Sequence, residues 1–206
     1  MAVGPADRPP SALTPRLHSP HDKTSPGSCG PPARGPNLLV PRSGLHAQGE
    51  DLFGAGFEFQ AYPSGGIFTA RGSIQLDDND SLFGYLGYNL AERGDNGKHL
   101  REDGGGPGVG LSWRHYLGED RSGLHFGIRT DVWFMDIDWT DPNDSGRTDI
   151  VVFQPTAQGG YTWRVDDDWV IDVGAFIGAE INVNTDGDEV GEGAILLLGV
   201  GTEYRF

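Results

Sequence analysis

The stretch WVIDVGAFIGAEINV, residues 169–183, decides the fold class of this chain. Apolar side chains occupy every second position from Trp169 to Val183, and most residues between them are polar or small, Asp172 and Glu180 among them. Successive side chains of a β-strand point to opposite faces, whereas a helix repeats about every 3.6 residues. The stretch therefore predicts a strand with one apolar face and one polar face.

The same alternation recurs from residue 53 to the C-terminal residue, and no helical periodicity extends over a useful length. Eight strands are predicted, at about 54–62, 66–76, 82–91, 108–117, 123–136, 149–165, 169–183 and 193–206. Residues 50–206 are accordingly predicted to form one all-β domain.

Residues 1–49 differ from the rest in composition. They hold ten of the 14 prolines, and five Lys or Arg residues against two Asp give them a net charge of +3. Such a segment buries too little apolar surface to offset the entropy of ordering. We expect a disordered, proline-rich segment or a non-native leader. The lone cysteine, Cys29, falls in it, so no disulfide within the chain is expected.

Charge and hydropathy exclude several classes of protein. The 206 residues carry a net charge of −15, which leaves −18 on residues 50–206 and disfavours nucleic acid as a partner. The longest apolar run, AILLLGV at 194–200, is far shorter than the roughly 18 residues of a transmembrane helix. The acidic stretches from Asp141 and Asp186 match only part of a calcium-binding EF-hand loop, so no metal or other cofactor is predicted.

The lengths of the predicted connections indicate which kind of barrel the strands form. Those at 77–81, 118–122 and 166–168 are short, whereas those at 92–108, 136–148 and 184–193 are long; the short connection at 63–66 is the exception. Short turns at one end and long loops at the other are typical of outer-membrane barrels. In such a barrel the apolar face meets lipid and the polar face lines the lumen.

The polar face balances its charges, although residues 50–206 as a whole are strongly acidic. A buried charge must be paired, and arginine is well shaped to pair with carboxylates. We therefore predict a charge network in the lumen. Its expected members are Glu58, Asp131, Asp172, Glu180 and Glu203 with Arg71, Arg114, Arg129, Arg164 and Arg205.

Aromatic residues gather on the apolar face near the short turns, the level at which tryptophan and tyrosine meet lipid headgroups. The predicted girdle consists of Trp113, Trp163, Trp169, Tyr204 and Phe206. The ending GTEYRF resembles the C-terminal signal by which bacterial outer-membrane barrels are recognised during assembly, with Gly201, Tyr204 and Phe206 at its defining positions. Gly199 stands where that signal usually has a polar residue.

With this ending, residues 53–206 resemble the small eight-stranded outer-membrane barrels of the OmpA-transmembrane-domain and OmpX/OmpW-like type. The resemblance implies an antiparallel up-and-down barrel in the outer membrane of a diderm bacterium. It implies outer-membrane lipid, lipopolysaccharide and the barrel-assembly machinery as partners. Eight strands leave an interior that side chains can fill. We expect a structural or surface-interaction role through acidic loops, with an unknown surface ligand.

Three alternatives stay open at this point. A soluble lipocalin-like barrel would turn the apolar face inward around a ligand. A narrow channel for small solutes would need a continuous lumen. An enzyme that modifies lipid A would need a nucleophile and a base within reach of each other, for which Ser112 and His125 are the lumen-facing candidates. No motif of the lipid A deacylases is present, and no enzymatic activity is predicted.

Overall fold

The computed structural model describes residues 52–94 and 97–206, which form a closed barrel of eight antiparallel strands. Each strand pairs with its neighbour in sequence, and the last pairs with the first. The strands are β1 (Phe53–Tyr62), β2 (Gly65–Gln75), β3 (Asp80–Arg93), β4 (Arg101–Tyr116), β5 (Gly123–Asp141), β6 (Asp144–Arg164), β7 (Trp169–Asp186) and β8 (Gly193–Arg205). All eight predicted strands and the barrel are confirmed, and residues 1–49 lie outside the described part.

The two ends of the barrel, called the turn end and the loop end, differ in their connections. The turn end carries the connections 76–79, 117–122 and 165–168, together with Phe53 and Phe206. The loop end carries the two-residue turns 63–64 and 142–143, the β3–β4 connection and residues 187–192.

Two of the predicted long loops are largely strand, which corrects their predicted extent. β4 begins at Arg101, so the glycine-rich segment expected to be a loop belongs to the wall. A Cβ atom on Gly106 would lie 1.7 Å from the carbonyl oxygen of Phe134, so the close approach of β5 requires glycine there. β5 and β6 likewise continue through the predicted loop 136–148 and leave only the turn 142–143.

The wall of the barrel is therefore uneven in height. β1 and β2 contain 10 and 11 residues, close to the length of a tilted membrane-crossing strand. β4 to β7 contain between 16 and 21 residues. The β5–β6 hairpin consequently extends well beyond the β1–β2 turn at the loop end.

Helical structure in the described residues is confined to a single 3-10 turn, Glu119–Arg121, at the turn end. Asp120 and Arg121 have left-handed backbone angles, with φ of 54° and 50°. No helix within residues 52–94 and 97–206 is long and apolar enough to cross a membrane.

Candidate functional site: a filled lumen and a covered loop end

The barrel wall is polar inside and apolar outside. Large apolar side chains face outward, and Phe57 and Leu111 are 70% and 68% exposed. Charged side chains face inward, and Arg114 and Glu203 are each 1% exposed. A soluble barrel has the opposite arrangement, because its apolar side chains are more stable inside the barrel than in contact with water. The exposed apolar band needs a hydrocarbon environment, as in a transmembrane barrel.

Arg71 is the centre of an ionic network in the turn-end half of the lumen. Its Nη2 lies 2.5 Å from Oδ2 of Asp172, and its Nη1 lies 3.4 Å from Oε2 of Glu58. Its Nε lies 3.5 Å from Oε2 of Glu203. Arg114 approaches the other oxygen of Asp172 at 3.4 Å. The contacts to Asp172 link β2 and β4 with β7, which is a neighbour of neither strand in the barrel.

Arg129 extends the network toward the middle of the barrel. Its Nε and Nη2 donate to the two oxygens of Asp131 at 2.7 and 3.0 Å, a bidentate pairing. Its Nη1 donates to Glu58, which links it to Arg71. Its guanidinium carbon lies 3.7 Å from the ring centroid of Tyr85, in cation–π geometry.

Arg205 closes the network at the turn end. Its Nε lies 3.3 Å from Oε1 of Glu203. Its two terminal nitrogens donate to the main-chain carbonyls of Asp120 and Arg121, at 3.1 and 3.0 Å. The left-handed turn thus places its carbonyl groups over the lumen, where they satisfy an arginine.

The structure buries nine of the ten residues predicted for the charge network, and eight of these form the network just described. The prediction that Arg164 belongs to the lumen charge network was wrong. It is the last residue of β6, its side chain is exposed, and it donates to the main-chain carbonyls of Asp167 and Asp120. Glu180 is buried but belongs to a separate cluster near the loop end.

Apolar side chains fill the lumen toward the loop end, where the sequence predicted a polar face. Trp133 is fully buried there, and its Nε1 donates to Oε1 of Gln154 at 2.6 Å. Other members of this apolar core are Tyr62, Ile67, Ala91, Met135, Ile137, Trp139, Ile150, Val152, Phe176, Val190, Ile195 and Leu197. The sequence of β5 contains a signal for this apolar core. In VWFMDIDW, residues 132–139, apolar residues occupy both faces of the strand.

Glu102 anchors the connections that cover the loop end. It is fully buried, and its carboxylate accepts hydrogen bonds from the main-chain nitrogens of Lys98, His99 and Gly191 at 2.7, 3.2 and 3.1 Å. One side chain therefore holds the β3–β4 and β7–β8 connections together. Glu102 was predicted only to lie in the long connection 92–108, and this anchoring role was missed.

His99 fastens the same cover to the β5–β6 hairpin. Its ring stacks on Trp139 with centroids 4.2 Å apart, and its Nδ1 lies 2.9 Å from Oδ2 of Asp141. Its Nε2 lies 3.2 Å from the main-chain carbonyl of Glu189. The hydrogen bond to Asp141 raises the pKa of His99 above its usual value and lowers the pKa of Asp141.

Arg93 forms the second charged cluster, just beneath this cover. It donates to Oε2 of Glu180 at 2.8 Å and to the main-chain carbonyl of Gly191 at 2.7 Å, and it lies 3.6 Å from Glu102. Arg93 was also missed, because strand β3 was predicted to end before it. The burial of side chains along β3 alternates as far as Arg93, but this alternation is visible only in the structure.

The predicted aromatic girdle lies on the outer face near the turn end. Trp163, Trp169, Tyr204 and Phe206 are exposed there, and Trp113 is half-buried. The Trp169 and Tyr204 rings meet edge-on at 5.4 Å, and the Tyr204 hydroxyl donates to Asp168 at 3.1 Å.

Gly201 packs against the charge network. A Cβ atom there would lie 2.6 Å from Nη1 of Arg71 and 3.0 Å from Oδ2 of Asp172. Glycine at this position therefore leaves room for the network, a packing reason that the sequence motif alone did not give.

The two enzyme candidates have separate partners in the lumen. The Ser112 hydroxyl lies 3.1 Å from the Tyr85 hydroxyl, and the His125 Nδ1 lies 3.2 Å from the Thr162 hydroxyl. No hydrogen bond links Ser112 with His125 in the described part of the chain. Among residues 52–94 and 97–206, no group of three or more His, Cys, Asp or Glu side chains is placed to hold a metal ion.

Solved structures of outer-membrane barrels are similar to this chain. The N-terminal β-barrel domain of Pseudomonas aeruginosa OprF is 14% identical, with 76% of this chain and 100% of that one covered and a TM-score of 0.46. Ail, the attachment invasion locus protein of Yersinia pestis, is 11% identical, with 76% and 98% covered and a TM-score of 0.46. A major outer membrane protein from Thermus thermophilus is 16% identical, with 75% and 99% covered and a TM-score of 0.43.

No protein-family model matches the sequence, and no curated protein matches it. Similarity at the level of these solved structures assigns neither a family nor a role. The closed eight-stranded wall, its apolar outer band and its filled interior, charged toward the turn end and apolar toward the loop end, stand on the geometry itself. By that geometry the chain is a β-barrel of the outer-membrane type.

Proposed function

We propose that this protein is a non-conducting outer-membrane barrel with a structural or surface-interaction role, exercised through its acidic loop end. The observation that carries the proposal is the filling of the lumen at three levels. The charge network occupies the turn-end half, the apolar core follows it, and the connections held by Glu102 cover the loop end. No part of this arrangement requires a ligand inside the barrel.

Acidic side chains at the loop end support a role at the surface. Asp136, Asp138, Asp144, Asp149 and Asp186 are exposed on the hairpin and on the adjoining end of β7. With the loop end outward, these carboxylates face the lipopolysaccharide layer and the medium. Carboxylates repel phosphate groups directly, so we expect contact with lipopolysaccharide to depend on shared divalent cations or on basic partners.

Conductance across a planar lipid bilayer tests the sealed lumen. Full-length protein refolded in detergent micelles should insert without stable single-channel steps. The control is Trp133→Ala, which removes the largest fully buried side chain and should leave the charge network in place. Stable steps from the parent protein would instead support the narrow channel for small solutes.

We further propose that the ending with Gly201, Tyr204 and Phe206 is recognised by the barrel-assembly machinery. Support comes from the outward, lipid-level position of Tyr204 and Phe206 beside Trp169. Phe206→Ala should lower the amount of heat-modifiable, folded protein in outer-membrane fractions of a bacterial host. Leu76→Ala removes another exposed apolar side chain at the turn end and is the matched control. Equal yields from the two variants would refute recognition through Phe206.

A further inference from the structure

The short strand β1 leaves one edge of the barrel wall open at the loop end. β8 pairs with β7 from Gly193 onward, but its pairing with β1 begins only at Leu198, which lies opposite Ala61. Just beyond Ala61 the chain turns back into β2. Within the part of the chain that the structure describes, residues 193–197 of β8 are therefore paired on one side only.

Hydrogen bonding at the other end of β8 shows which main-chain groups face the open side. Phe206 exchanges main-chain hydrogen bonds of 2.9 and 3.3 Å with Phe53, toward β1. Arg205, one residue earlier, donates to the carbonyl of Asp168, toward β7. In an antiparallel pair, the residues that bond to a given neighbour recur at every second position. Neither ladder of β8 shifts its register, so this alternation extends to the loop end.

The main-chain groups of Ala194 and Leu196 face the open side, because both residues lie an even number of positions before Phe206. Continuing the β1–β8 register would place Pro63 opposite Leu196. Proline has no N–H to donate, and Pro63 begins the turn into β2. Among residues 52–94 and 97–206, no main-chain group bonds to residue 194 or 196 on this side. The edge therefore presents two N–H donors and two carbonyl acceptors at the spacing of a strand.

Another peptide main chain is the partner that matches these groups. It supplies donors and acceptors alternately at the same spacing, whereas lipid acyl chains bring no hydrogen-bonding group. An extended segment that pairs with a free edge adds a strand to the sheet, a binding mode known as β-augmentation. Here it would continue the β1–β8 ladder, in the place that a longer β1 would occupy.

A second copy of this chain in the same membrane does not fit the edge. Two copies that stand the same way up are related by a two-fold axis along the membrane normal. Strands tilted by about 40° from that normal would then cross at about 80°, whereas paired strands run nearly parallel or antiparallel. The occupant that fits is an extended segment of a different protein.

An open cavity of about 450 Å³ adjoins the edge and has room for a side chain of the added segment. Its lining includes Tyr62, Pro63 and Ile195. Residues directly opposite each other in a strand pair point to the same face. The residue opposite Ile195 would therefore point into this cavity, while its two neighbours would point outward beside Ala194 and Leu196. Short, β-branched side chains suit these positions, because they favour the strand conformation.

We propose that residues 193–197 of β8 form a docking edge for a short extended segment of a partner protein, which binds through its main chain to Ala194 and Leu196. The segment is not acidic, because the loop end already carries exposed carboxylates. This proposal names the kind of partner for the surface-interaction role proposed above, and it rests on that role for access from the medium.

Fluorescence anisotropy tests the edge, with the full-length protein refolded in detergent micelles. The probe is a fluorescein-labelled peptide, KVTVTVK, whose alternating valine and threonine favour a strand. The comparison peptide has the same sequence with its central amide nitrogens methylated, which removes their hydrogen-bond donors. We expect saturable binding of the plain peptide, with one site per chain, and binding of the methylated peptide that is weaker by roughly tenfold or more.

Proline substitutions remove donors from the edge itself. Leu196→Pro deletes an N–H on the open side, which the ladder with β7 does not use, and proline is tolerated at such an edge. It should weaken binding of the plain peptide by roughly two- to tenfold. Leu196→Ala removes the same side chain but keeps the N–H, so it should bind like the parent. Ala194→Pro and its control Ala194→Ser repeat the comparison, and heat-modifiable gel mobility confirms that each variant is folded.

Four results would overturn the proposal. They are no saturable binding to the folded parent, equal binding of the plain and methylated peptides, equal affinity in the parent and both proline variants, and a dimer in micelles that either proline variant abolishes while no peptide binds. The last result would assign the edge to a second copy. Peptide binding in micelles and conductance across a bilayer are separate measurements, so a failure of the docking edge is distinguishable from a failure of the sealed lumen.

Discussion

At the residue scale, arginines fill the turn-end half of this lumen as leucines and valines fill a soluble core. Arg71, Arg114 and Arg129 each lie near at least one buried carboxylate, and their flat guanidinium groups also cover the rings of Phe83 and Tyr85. Buried ion pairs add little stability over apolar packing, yet breaking one is costly because it leaves a charge without a partner.

Asp172→Leu tests how much stability is lost when a buried ion pair is broken. Asp172 meets both Arg71 and Arg114, so its loss leaves two buried guanidinium groups short of an acceptor. We expect the free energy of unfolding to fall by about 3–5 kcal/mol, measured by urea titration in lipid vesicles with tryptophan fluorescence. The control is Asp78→Leu, an exposed acid in the turn 76–79. Similar losses in both variants would show that Asp172 is not a buried partner.

His99 gives a pH-dependent contact at the loop end. Its pKa is raised above 6.5 by the hydrogen bond to Asp141. A raised pKa means that the folded state binds the proton more tightly, so the contact contributes fully below pH 6.5 and is lost as the pH rises through the raised pKa. We expect the His99 ring to titrate above pH 6.5 by NMR, and Asp141→Asn to move its midpoint downward.

Glu189→Gln is the control for that titration. It removes the partner of Lys98 but retains the main-chain carbonyl that approaches His99. Its midpoint should stay close to that of the parent. A midpoint that is the same in the parent and in Asp141→Asn would contradict the assigned cause.

At the scale of elements, alternation predicted which strands exist but not where they end. The segment 104–108 was predicted to be loop because glycine and proline weaken a strand. Glycine is needed at positions 104 and 106 because a Cβ atom there would collide with backbone oxygens of β5. This contact joins residues that are distant in the sequence, so the local sequence does not show it. The lumen charges were predictable from their face, whereas Arg93 and Glu102 depended on these unpredicted strand ends.

Arg147 pairs with two acidic side chains on the β5–β6 hairpin. It lies 2.6 Å from Asp136 and 3.7 Å from Asp149, two acids directly opposite each other in the ladder. Without Arg147, these two carboxylates would face each other with no cation between them, and like charges directly opposite each other destabilise a pair of strands. Arg147→Gln should therefore speed amide hydrogen exchange at residues 141–148 at neutral pH. The difference from the parent should shrink at acid pH, where the acids are protonated.

Arg164→Gln is the control on the same strand. Arg164 lies at the opposite end of β6 and is likewise exposed. Its replacement should leave exchange in the hairpin unchanged. If Arg147→Gln gave no faster exchange than Arg164→Gln, the charge balance would not stabilise the hairpin.

At the scale of the whole molecule, the solvent on the outer face determines which substitutions are tolerated. Phe57 lies at the centre of the ten-residue strand β1, and Val183 lies near the loop end of β7; both are exposed. In a membrane, Phe57→Arg should cost about 2–4 kcal/mol and Val183→Arg only about 0–1 kcal/mol. Urea unfolding in lipid vesicles measures both. Equal, small costs would mean that the outer face meets water.

The uneven height of the wall also determines which turn of the protein an antibody or a phage contacts first. With the loop end outward, the Pro142–Asn143 turn stands above the turn at 63–64, which lies close to the lipid surface. Lipopolysaccharide sugars would screen the lower turn and leave the higher one free. A peptide tag inserted between Pro142 and Asn143 should be stained on intact cells, whereas the same tag between Pro63 and Ser64 should be stained only after the sugars are truncated.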